Sequence, residues 1–285
     1  MQSKIFSGNK TLNVGGKLMD LSEPKIMGIL NVTPDSFYDG FRYTDEVAIL
    51  KQTEKMLVEG ADFIDIGGYS TRPGAEEISV DEEKKRILPA IEYVKKKFPD
   101  AIISVDTFRS VVAIDAIAAG ALMINDISGG ELDALMFSAI SKLKVPYILM
   151  HSRGNPQTMN KLTNYENLTK EITDFFHQKI FQLQQFGTED IIVDPGFGFA
   201  KTIEQNFELL NDLEYFQILE KPILVGLSRK SMIWKTLKTE PEKALNGTTS
   251  LNTIALLKGA SILRVHDVRE AKEVVALVGQ MNILK

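Results

Sequence analysis

Residues 101–130 read AIISVDTFRSVVAIDAIAAGALMINDISGG and contain two short apolar runs with a longer amphipathic segment between them. The runs at 101–107 and 122–128 are rich in isoleucine, valine and leucine and are apolar almost throughout. Strands of a parallel sheet have this composition when helices cover both faces of the sheet. The stretch therefore predicts a strand, a helix and a second strand parallel to the first.

The same unit recurs along the whole chain. The eight candidate strands lie at residues 25–32, 61–68, 101–107, 122–128, 145–152, 190–196, 222–229 and 261–267. Eight strand–helix units close most naturally into an α/β barrel of the TIM (β/α)8 type, and an open doubly wound sheet is the alternative. Because such barrels commonly need about 250 residues, the 285 residues predict a single domain over 1–285.

Local signals mark the ends of several elements. Val14-Gly15-Gly16-Lys17 predicts a small hairpin within residues 1–24, placed at the bottom of the barrel. The pairs Gly60-Ala61, Gly120-Ala121 and Gly259-Ala260 precede strands two, four and eight, where glycine can end a helix in the left-handed conformation. Ser79 and Glu82 predict a capping box, and Pro89 is expected to kink the helix that follows or to split off its first turn.

The composition excludes several classes of protein. Apolar residues make up 44% and charged residues 25% of the chain, as in a folded globular protein. The net charge of −5, without a basic stripe, argues against nucleic-acid binding. No apolar run approaches the roughly 18 residues that cross a bilayer, and residues 1–6 do not resemble a secretory signal. The chain has no cysteine, which fits a cytoplasmic enzyme that does not use thiolate chemistry.

Polar residues follow the predicted strands. In barrels of this type the active site lies at the carboxyl ends of the strands. The residues there are Asn31 and Asp35, then Thr71, Arg72 and Pro73, then Asp106, Asn125, Met150, His151, Asp194, Phe199, Lys230, Ser231, Arg264 and His266. The carboxyl ends of the strands form one open end of the barrel, its mouth. Coincidence does not explain two carboxylates, an amide, a lysine, an arginine and a histidine at one mouth.

Each of these residues also has a purely structural explanation. A single aspartate at a strand end can cap the next helix, and Asn125 and Ser128 can shape a loop. We interpret His151 as a core histidine and His177, which lies in a helical segment, as a surface or packing residue. The whole set of strand-end residues therefore indicates an active site more strongly than any single residue does.

The charges at the strand ends predict two kinds of binding. Lys230 begins a helix, where a cation opposes the helix dipole, and a residue placed against local preference is a candidate for function. Lys230, Arg264 and His266 follow strands seven and eight, the usual anion-binding region of barrels. Asp106 and Asp194 suit an amino-substituted heterocycle with several N–H donors.

The strand-end strings together resemble the dihydropteroate synthases. They are NVTPDSF at 31–37, STRPG at 70–74, SVDT at 104–107, NDISGG at 125–130, DPGFGF at 194–199, SRK at 228–230 and RVHD at 264–267. They run in order from the first strand to the eighth. The family is a barrel of this kind, in agreement with the periodicity.

The resemblance implies a reaction in which a dihydropterin loses diphosphate from its 6-hydroxymethyl group and p-aminobenzoate takes its place. The pterin site that it implies comprises Asp106, Asn125, Ile127, Met150, Asp194, Gly226, Lys230 and Arg264. The diphosphate site comprises Asn31, Thr71, Arg72, Arg264 and His266, with Asn31 also on Mg²⁺. The p-aminobenzoate site comprises Thr71, Pro73, Phe199, Lys230 and Ser231, and the catalytic residues are Asp35, Arg72, Lys230 and Arg264. The family implies a homodimer through outer helices and a target of sulfonamides.

Two residues depart from the family pattern. Phe41 stands where a second glycine is common, and Tyr69 stands where a glutamate is common. Both lie in or beside the loops after strands one and two, which carry Asp35 and the 71–73 segment. The departures concern the geometry of these loops rather than pterin binding.

Three other functions explain part of the pattern. A methyltransferase that passes a methyl group from a folate to a corrinoid would share the pterin-binding Asp and Asn but needs no diphosphate site. A Schiff-base aldolase would use Lys230 as its nucleophile and leaves the two carboxylates unexplained. A degenerate relative would bind pterin without catalysis, but Asp35, Arg72 and Lys230 are all present.

Overall fold

A nearly closed barrel of parallel strands organises the chain in the computed structural model, which describes residues 11–33, 46–70 and 76–281. A separate antiparallel hairpin, β1 (Thr11–Val14) and β2 (Lys17–Asp20), precedes the barrel. The barrel strands are β3 (Lys25–Asn31), β4 (Phe63–Gly67), β5 (Ile103–Asp106), β6 (Met123–Asp126), β7 (Tyr147–Met150), β8 (Ile191–Asp194), β9 (Leu224–Val225) and β10 (Ile262–Val265). All eight predicted strands are confirmed.

The hydrogen-bonded order of the barrel strands is β8-β7-β6-β5-β4-β3-β10-β9. The remaining seam lies between β8 and β9, where the Val193 amide donates to the Pro222 carbonyl over 2.9 Å. Strand β9 has only two residues, fewer than the segment 222–229 predicted. The predicted barrel is therefore confirmed, and the alternative of an open doubly wound sheet is wrong.

Helices follow every barrel strand and form the outer layer. They are α1 (Glu46–Val58), α2 (Val80–Lys97), α3 (Ser110–Ala118), α4 (Met136–Leu143), α5 (Leu168–Gln185), α6 (Ile203–Asn211), α7 (Ser231–Thr236), α8 (Leu245–Leu257) and α9 (Val268–Gln280). Short 3-10 helices lie at Met159–Lys161, Leu213–Leu219 and Pro241–Lys243. Among the described residues, no helix combines the length and the apolar character that crossing a membrane requires.

Alternate residues of each strand serve two different cores. Ile64 and Ile66 of β4 pack outward in the large core against the helices, whereas Phe63 faces the lumen of the barrel. The lower lumen is filled by one apolar layer from seven strands: Met27, Phe63, Met123, Ile148, Ile192, Leu224 and Ile262. Leu12 and Val14 of the hairpin, with Leu21 after it, pack on this layer. The predicted position of the hairpin at the bottom of the barrel is confirmed.

The predicted element ends are mostly confirmed. Gly60, Gly120 and Gly259 have φ values of +99°, +113° and +95°, a conformation that favours glycine. The Ser79 hydroxyl accepts from the Glu82 amide over 3.1 Å, as an N-cap does, but the Glu82 carboxylate accepts from Arg86 Nε over 2.7 Å, so only half of the predicted capping box is confirmed. Helix α2 runs unbroken through Pro89, so the expectation that its first turn splits off is wrong. The carbonyl that Pro89 leaves without its helical donor belongs to Lys85, which is an exposed residue.

Candidate active site

The carboxyl ends of four neighbouring strands place their last lumen-facing residues side by side. Asn31 is the register partner of Gly67, Gly67 of Asp106, and Asp106 of Asn125. A side chain at Gly67 would fill the space between its neighbours, because a Cβ there would lie 3.4 Å from Asn31 Oδ1 and 3.6 Å from Asp106 Cβ. The absence of a side chain at Gly67 therefore leaves the mouth open between the amide and the carboxylate.

Arg264 joins two carboxylates across the mouth. Its Nε donates to Asp65 Oδ2 over 2.6 Å, and its Nη2 donates to Asp106 Oδ2 over 2.8 Å. The Asn125 Nδ2 group donates to the same Asp65 oxygen over 3.0 Å. Strands β4, β5, β6 and β10 are thus connected by one buried polar network that centres on Asp65 and Arg264.

Asp65 was missed in the sequence. It lies in the middle of a strand and is completely buried, so it did not stand out as a strand-end residue. The signal that could have found it is the period of two in FIDIG, which places Asp65 on the same face as Phe63 and Gly67. A charged residue on the lumen face of a strand needs a partner, and Arg264 is that partner.

Burial shapes the charge of Asp106. Desolvation raises the pKa of Asp106 to about 7, against the opposing effect of the Arg264 guanidinium, and the neighbouring Asp65 raises it further. This carboxyl group therefore exchanges a proton near neutral pH. A ligand that brings N–H donors to the mouth would favour the ionised form of Asp106.

On the other side of the mouth, Lys230 and Asp194 face each other. Burial lowers the pKa of Lys230 to about 8, and the attraction of Asp194 opposes that shift. Burial also raises the pKa of Asp194, whose Oδ1 accepts from the Gly196 amide over 2.8 Å. A Cβ at Gly226 would lie 3.9 Å from Lys230 Nζ, in ordinary van der Waals contact. The buried Asp194 and the half-buried Lys230 are therefore oppositely charged groups that attract each other at this side of the mouth.

Lys230 also reaches the loop after β8. Its ammonium donates to the Phe197 carbonyl and lies 4.8 Å from the centre of the Phe199 ring, within cation–π range. Lys230 directly precedes α7, where Ser231 is the first residue, so its predicted place at a helix start is confirmed. Phe197 is completely buried and Phe199 is half-buried, so Phe199 is the aromatic ring that a ligand could contact.

The loops after β9 and β10 are tied together by two pairs. The Ser228 Oγ lies 3.0 Å from His266 Nδ1, and the His266 amide donates to the same Oγ over 3.2 Å. Arg229 binds Asp267 through Nε at 3.1 Å and Nη2 at 2.6 Å. The first pair positions the predicted anion ligand His266. Arg229 and Asp267 hold the loops in place.

A buried lysine that the sequence did not reveal holds the loop after β8. Lys201 donates to the carbonyls of Gly196 and Phe199, each over 3.0 Å, and its Nζ lies 3.2 Å from His151 Nδ1. Burial lowers the pKa of Lys201 to about 7 and holds that of His151 well below its usual range. His151 is a satisfied core histidine, as interpreted, and His177 is exposed on α5.

Asn125 and its neighbour Asp126 have opposite roles. Asp126 faces away from the lumen and accepts from the amide and hydroxyl of Ser128, each over 2.7 Å, and from the Tyr147 hydroxyl over 2.6 Å. Loop shaping is therefore the role of Asp126 and Ser128, whereas Asn125 belongs to the mouth. The predicted apolar lining residues, Ile127 and Met150, are both buried at the ends of neighbouring strands.

The loops after β3 and β4 are described only at their bases. The Tyr69 hydroxyl accepts from Gln157 Nε2 over 3.2 Å, and its ring meets that of Phe108 edge-on at 5.4 Å. Tyr69 therefore connects the second loop to the loops after β5 and β7. The remaining predicted loop residues, Asp35, Phe41, Thr71, Arg72 and Pro73, lie outside the described residues.

Comparisons with known proteins agree with this site. The family model described as "Pterin binding enzyme" matches residues 27–266. The dihydropteroate synthase of Escherichia coli K12 is 42% identical over 266 residues, which cover 92% of this chain and 93% of that protein.

Two solved structures extend the similarity to the whole fold. The Yersinia pestis dihydropteroate synthase with a sulfonamide drug has a TM-score of 0.90 and 40% identity, over 95% of this chain and 99% of that one. The Coxiella burnetii dihydropteroate synthase in complex with pteroic acid has a TM-score of 0.86 and 36% identity, over 96% of this chain and 99% of that one. The similarity thus spans every strand that contributes to the mouth.

Proposed function

The chain belongs to the dihydropteroate synthase family of pterin-binding enzymes, and we propose how the mouth of its barrel carries out the family's reaction. The enzyme is a transferase of folate biosynthesis. It condenses 6-hydroxymethyl-7,8-dihydropterin diphosphate with p-aminobenzoate to give 7,8-dihydropteroate and diphosphate. The observation that carries the proposal is the set of buried acceptors, Asp106, Asn125 and Asp194, in one mouth with Arg264 and Lys230.

The acceptors suit the pterin ring. Carboxylate and amide oxygens bind an amino-substituted ring through its N–H donors, and such bonds are strong when the acceptor is charged. Asp106 and Asp194 lie on opposite sides of the mouth, on β5 and β8, with Asn125 next to Asp106. We assign Ile127 and Met150 to the apolar lining, and Gly226 leaves room for the ring beside Arg264.

The cations suit the diphosphate. When the bond between the pterin methylene and the diphosphate oxygen breaks, its electron pair leaves with the diphosphate, and positive charge remains on the methylene. Arg264, Asn31 and His266 are assigned to stabilise the negative charge that grows on the leaving group. Thr71 and Arg72 complete this set in the family pattern and lie outside the described residues.

The second substrate is placed beside Lys230. We assign Phe199, Lys230 and Ser231 to p-aminobenzoate, together with Thr71 and Pro73 of the second loop. The arylamine attacks the methylene and then loses a proton. We propose that Asp35 stabilises the cation until that attack, and that the arylamine reaches the cation before water can consume it.

We propose that Mg²⁺ takes part through Asn31. The Asn31 side-chain oxygen is the hard type of donor that Mg²⁺ prefers, and Mg²⁺ at phosphate sites is usually held by one or two protein groups plus substrate phosphates. Its position beside Gly67, at the open mouth, fits such a shared ion. When bound, the ion would supply positive charge to the leaving diphosphate.

We propose a homodimer through the outer helices and a cytoplasmic location. Exposed apolar side chains lie on α8, on the 3-10 helix Leu213–Leu219 and just after α7: Tyr215, Ile218, Leu237, Ile254 and Leu257. Gln217 of the 3-10 helix donates to the Lys258 carbonyl at the end of α8, so the 3-10 helix and α8 are neighbours on the surface. The cysteine-free composition supports a reducing compartment.

The test is diphosphate release measured with and without p-aminobenzoate, with the pteroate product identified by mass. We expect release to require the pterin diphosphate and to yield dihydropteroate only when p-aminobenzoate is present. A methyltransferase would release no diphosphate, and a degenerate relative would bind pteroic acid without turnover. An aldolase would be trapped on Lys230 by borohydride in the presence of a carbonyl substrate.

A further inference from the structure

Three buried polar atoms lie without partners on neighbouring strands of the lumen. Within the described residues, Asp65 Oδ1, Ser104 Oγ and Asn125 Oδ1 have no hydrogen-bond partner. Asp65 and Ser104 are register partners on β4 and β5, and Asn125 lies on β6. Buried polar atoms are almost always hydrogen-bonded, so an unpartnered group at the edge of a binding site indicates a ligand or water.

The orientation of the Asn125 amide follows from Asp65. A carboxylate that pairs with the Arg264 guanidinium can only accept hydrogen bonds, so the amide must turn its Nδ2 group toward Asp65. The 3.0 Å bond from Asn125 Nδ2 to Asp65 Oδ2 has this arrangement. The Asn125 Oδ1 atom is then directed away from Asp65, and it is the atom left without a partner.

We infer that Asp65 is a positioning residue that fixes the Asn125 amide so that its oxygen accepts an N–H of the pterin ring. This inference rests on the proposed function. Asp65 is completely buried on a strand below the mouth, so it acts through Asn125 and Arg264 rather than by touching the ring. With Asp106 and Asp194, the fixed amide gives the mouth three acceptors, matched to a ring edge of donors.

The experiment exchanges the carboxylate of residue 65 with the amide of residue 125. Asp65→Asn removes the charge, allows the Asn125 amide to rotate, and is expected to weaken pteroic acid binding about tenfold or more. Asn125→Asp places two carboxylates together and is expected to weaken it to a similar extent. In the double variant Asp65→Asn/Asn125→Asp, the new amide donates to the new carboxylate, whose second oxygen again faces the ring. The amide nitrogen then takes the place of the oxygen that accepted from Arg264 Nε, so the recovery is partial. We expect the double variant to bind pteroic acid at least about threefold more tightly than the two single losses combined would give.

The readouts are the dissociation constant of pteroic acid by calorimetry, the KM of each substrate and the melting temperature. The pterin KM should rise in the single variants while the p-aminobenzoate KM stays within about twofold. Asp62→Asn is the matched control, because Asp62 precedes β4 at the bottom of the barrel, where it accepts from the Ile26 amide over 2.8 Å. This variant should bind pteroic acid normally.

Each outcome decides the inference. Normal binding by Asp65→Asn would overturn it, as would a double variant as weak as the two losses combined. If Asp65→Asn fails to fold, a folded double variant that binds supports the inference and one that does not bind overturns it. Failure of the unsubstituted protein to bind pteroic acid would instead contradict the proposed function.

Discussion

The lower and upper halves of the barrel lumen are built by the same strands and have opposite chemistry. The lower half is one apolar layer that the hairpin seals, with Phe63 of β4 completely buried in it. Two residues further along the same strand face, Asp65 begins a network of buried charges. The difference shows that the stability of the barrel and the specificity of its site are separated along each strand by one step of the pleat.

Burial stabilises the fold in the lower half of the lumen and destabilises it in the upper half. Burial of the lower layer removes apolar surface from water and stabilises the fold. Burial of the upper charges raises the pKa of Asp106 and Asp194 and lowers that of Lys230, so each charge is held in an environment that disfavours it. The upper half therefore gives up stability that ligand binding can recover.

Removing an aromatic ring from the lower half is the largest expected effect. Phe63→Ala should lower the free energy of unfolding by about 3–5 kcal/mol, because it leaves a cavity in a closed layer. Urea denaturation measures the loss. The affinity of the folded variant for pteroic acid should stay within about twofold, and a tenfold loss would mean that the two halves are coupled.

A substitution in the upper half should weaken ligand binding without lowering stability, the reverse of what we expect for Phe63→Ala. Asp194→Asn turns one acceptor into a donor facing the N–H groups of the ring, and we expect about a hundredfold weaker binding of pteroic acid. Calorimetry gives the dissociation constant, and the melting temperature should not fall. Near-normal affinity would remove Asp194 from the pterin site.

Replacing Asp106 should change the pH dependence of stability, because burial in the upper half shifts its pKa. The pKa of Asp106 is raised from 3.8 to about 7 in the folded protein, so the folded state binds more protons than the unfolded state between these values. The contribution of Asp106 to stability therefore falls as the pH rises through that window and is constant above it. Relative to the original protein, Asp106→Asn should gain about 2–3 kcal/mol of stability between pH 5 and pH 8.

Urea denaturation of both proteins at pH 5 and pH 8 measures this difference. A variant whose advantage is the same at both pH values would show that Asp106 ionises normally in the folded protein. The variant Asp190→Asn, just before β8, is a suitable control because the Asp190 carboxylate accepts from the Asn13 amide of the hairpin, at the far end of the barrel from the mouth.

A substitution on the outer helices should have the smallest effect on the binding site in the barrel mouth. Ile254→Asp places a charge on the proposed dimer face and should weaken self-association about tenfold or more. Sedimentation velocity measures the association, and turnover of the monomer should change little. Val58→Asp, at the end of α1, should leave the oligomeric state unchanged, and a monomeric original protein would contradict the proposed dimer.

The sequence revealed most of the fold because the fold depends on local patterns. Apolar runs located all eight strands, and the glycines at 60, 120 and 259 marked helix ends through a conformation that only glycine adopts easily. The strand-end motifs also located Asp106, Asn125, Asp194, Lys230 and Arg264, which the structure brings to one mouth. The hairpin was predicted from its turn residues for the same reason.

The sequence by itself determined which strands form and which end of the barrel carries the polar residues. Only the tertiary structure decided how those residues pair. Arg264 meets Asp65 across 199 positions of sequence, and Asn125 meets it across 60. Lys201 likewise gains its role from His151, fifty positions earlier. Such pairs exist because closure of the barrel removes the charges from water together, and burial then requires each charge to find a partner.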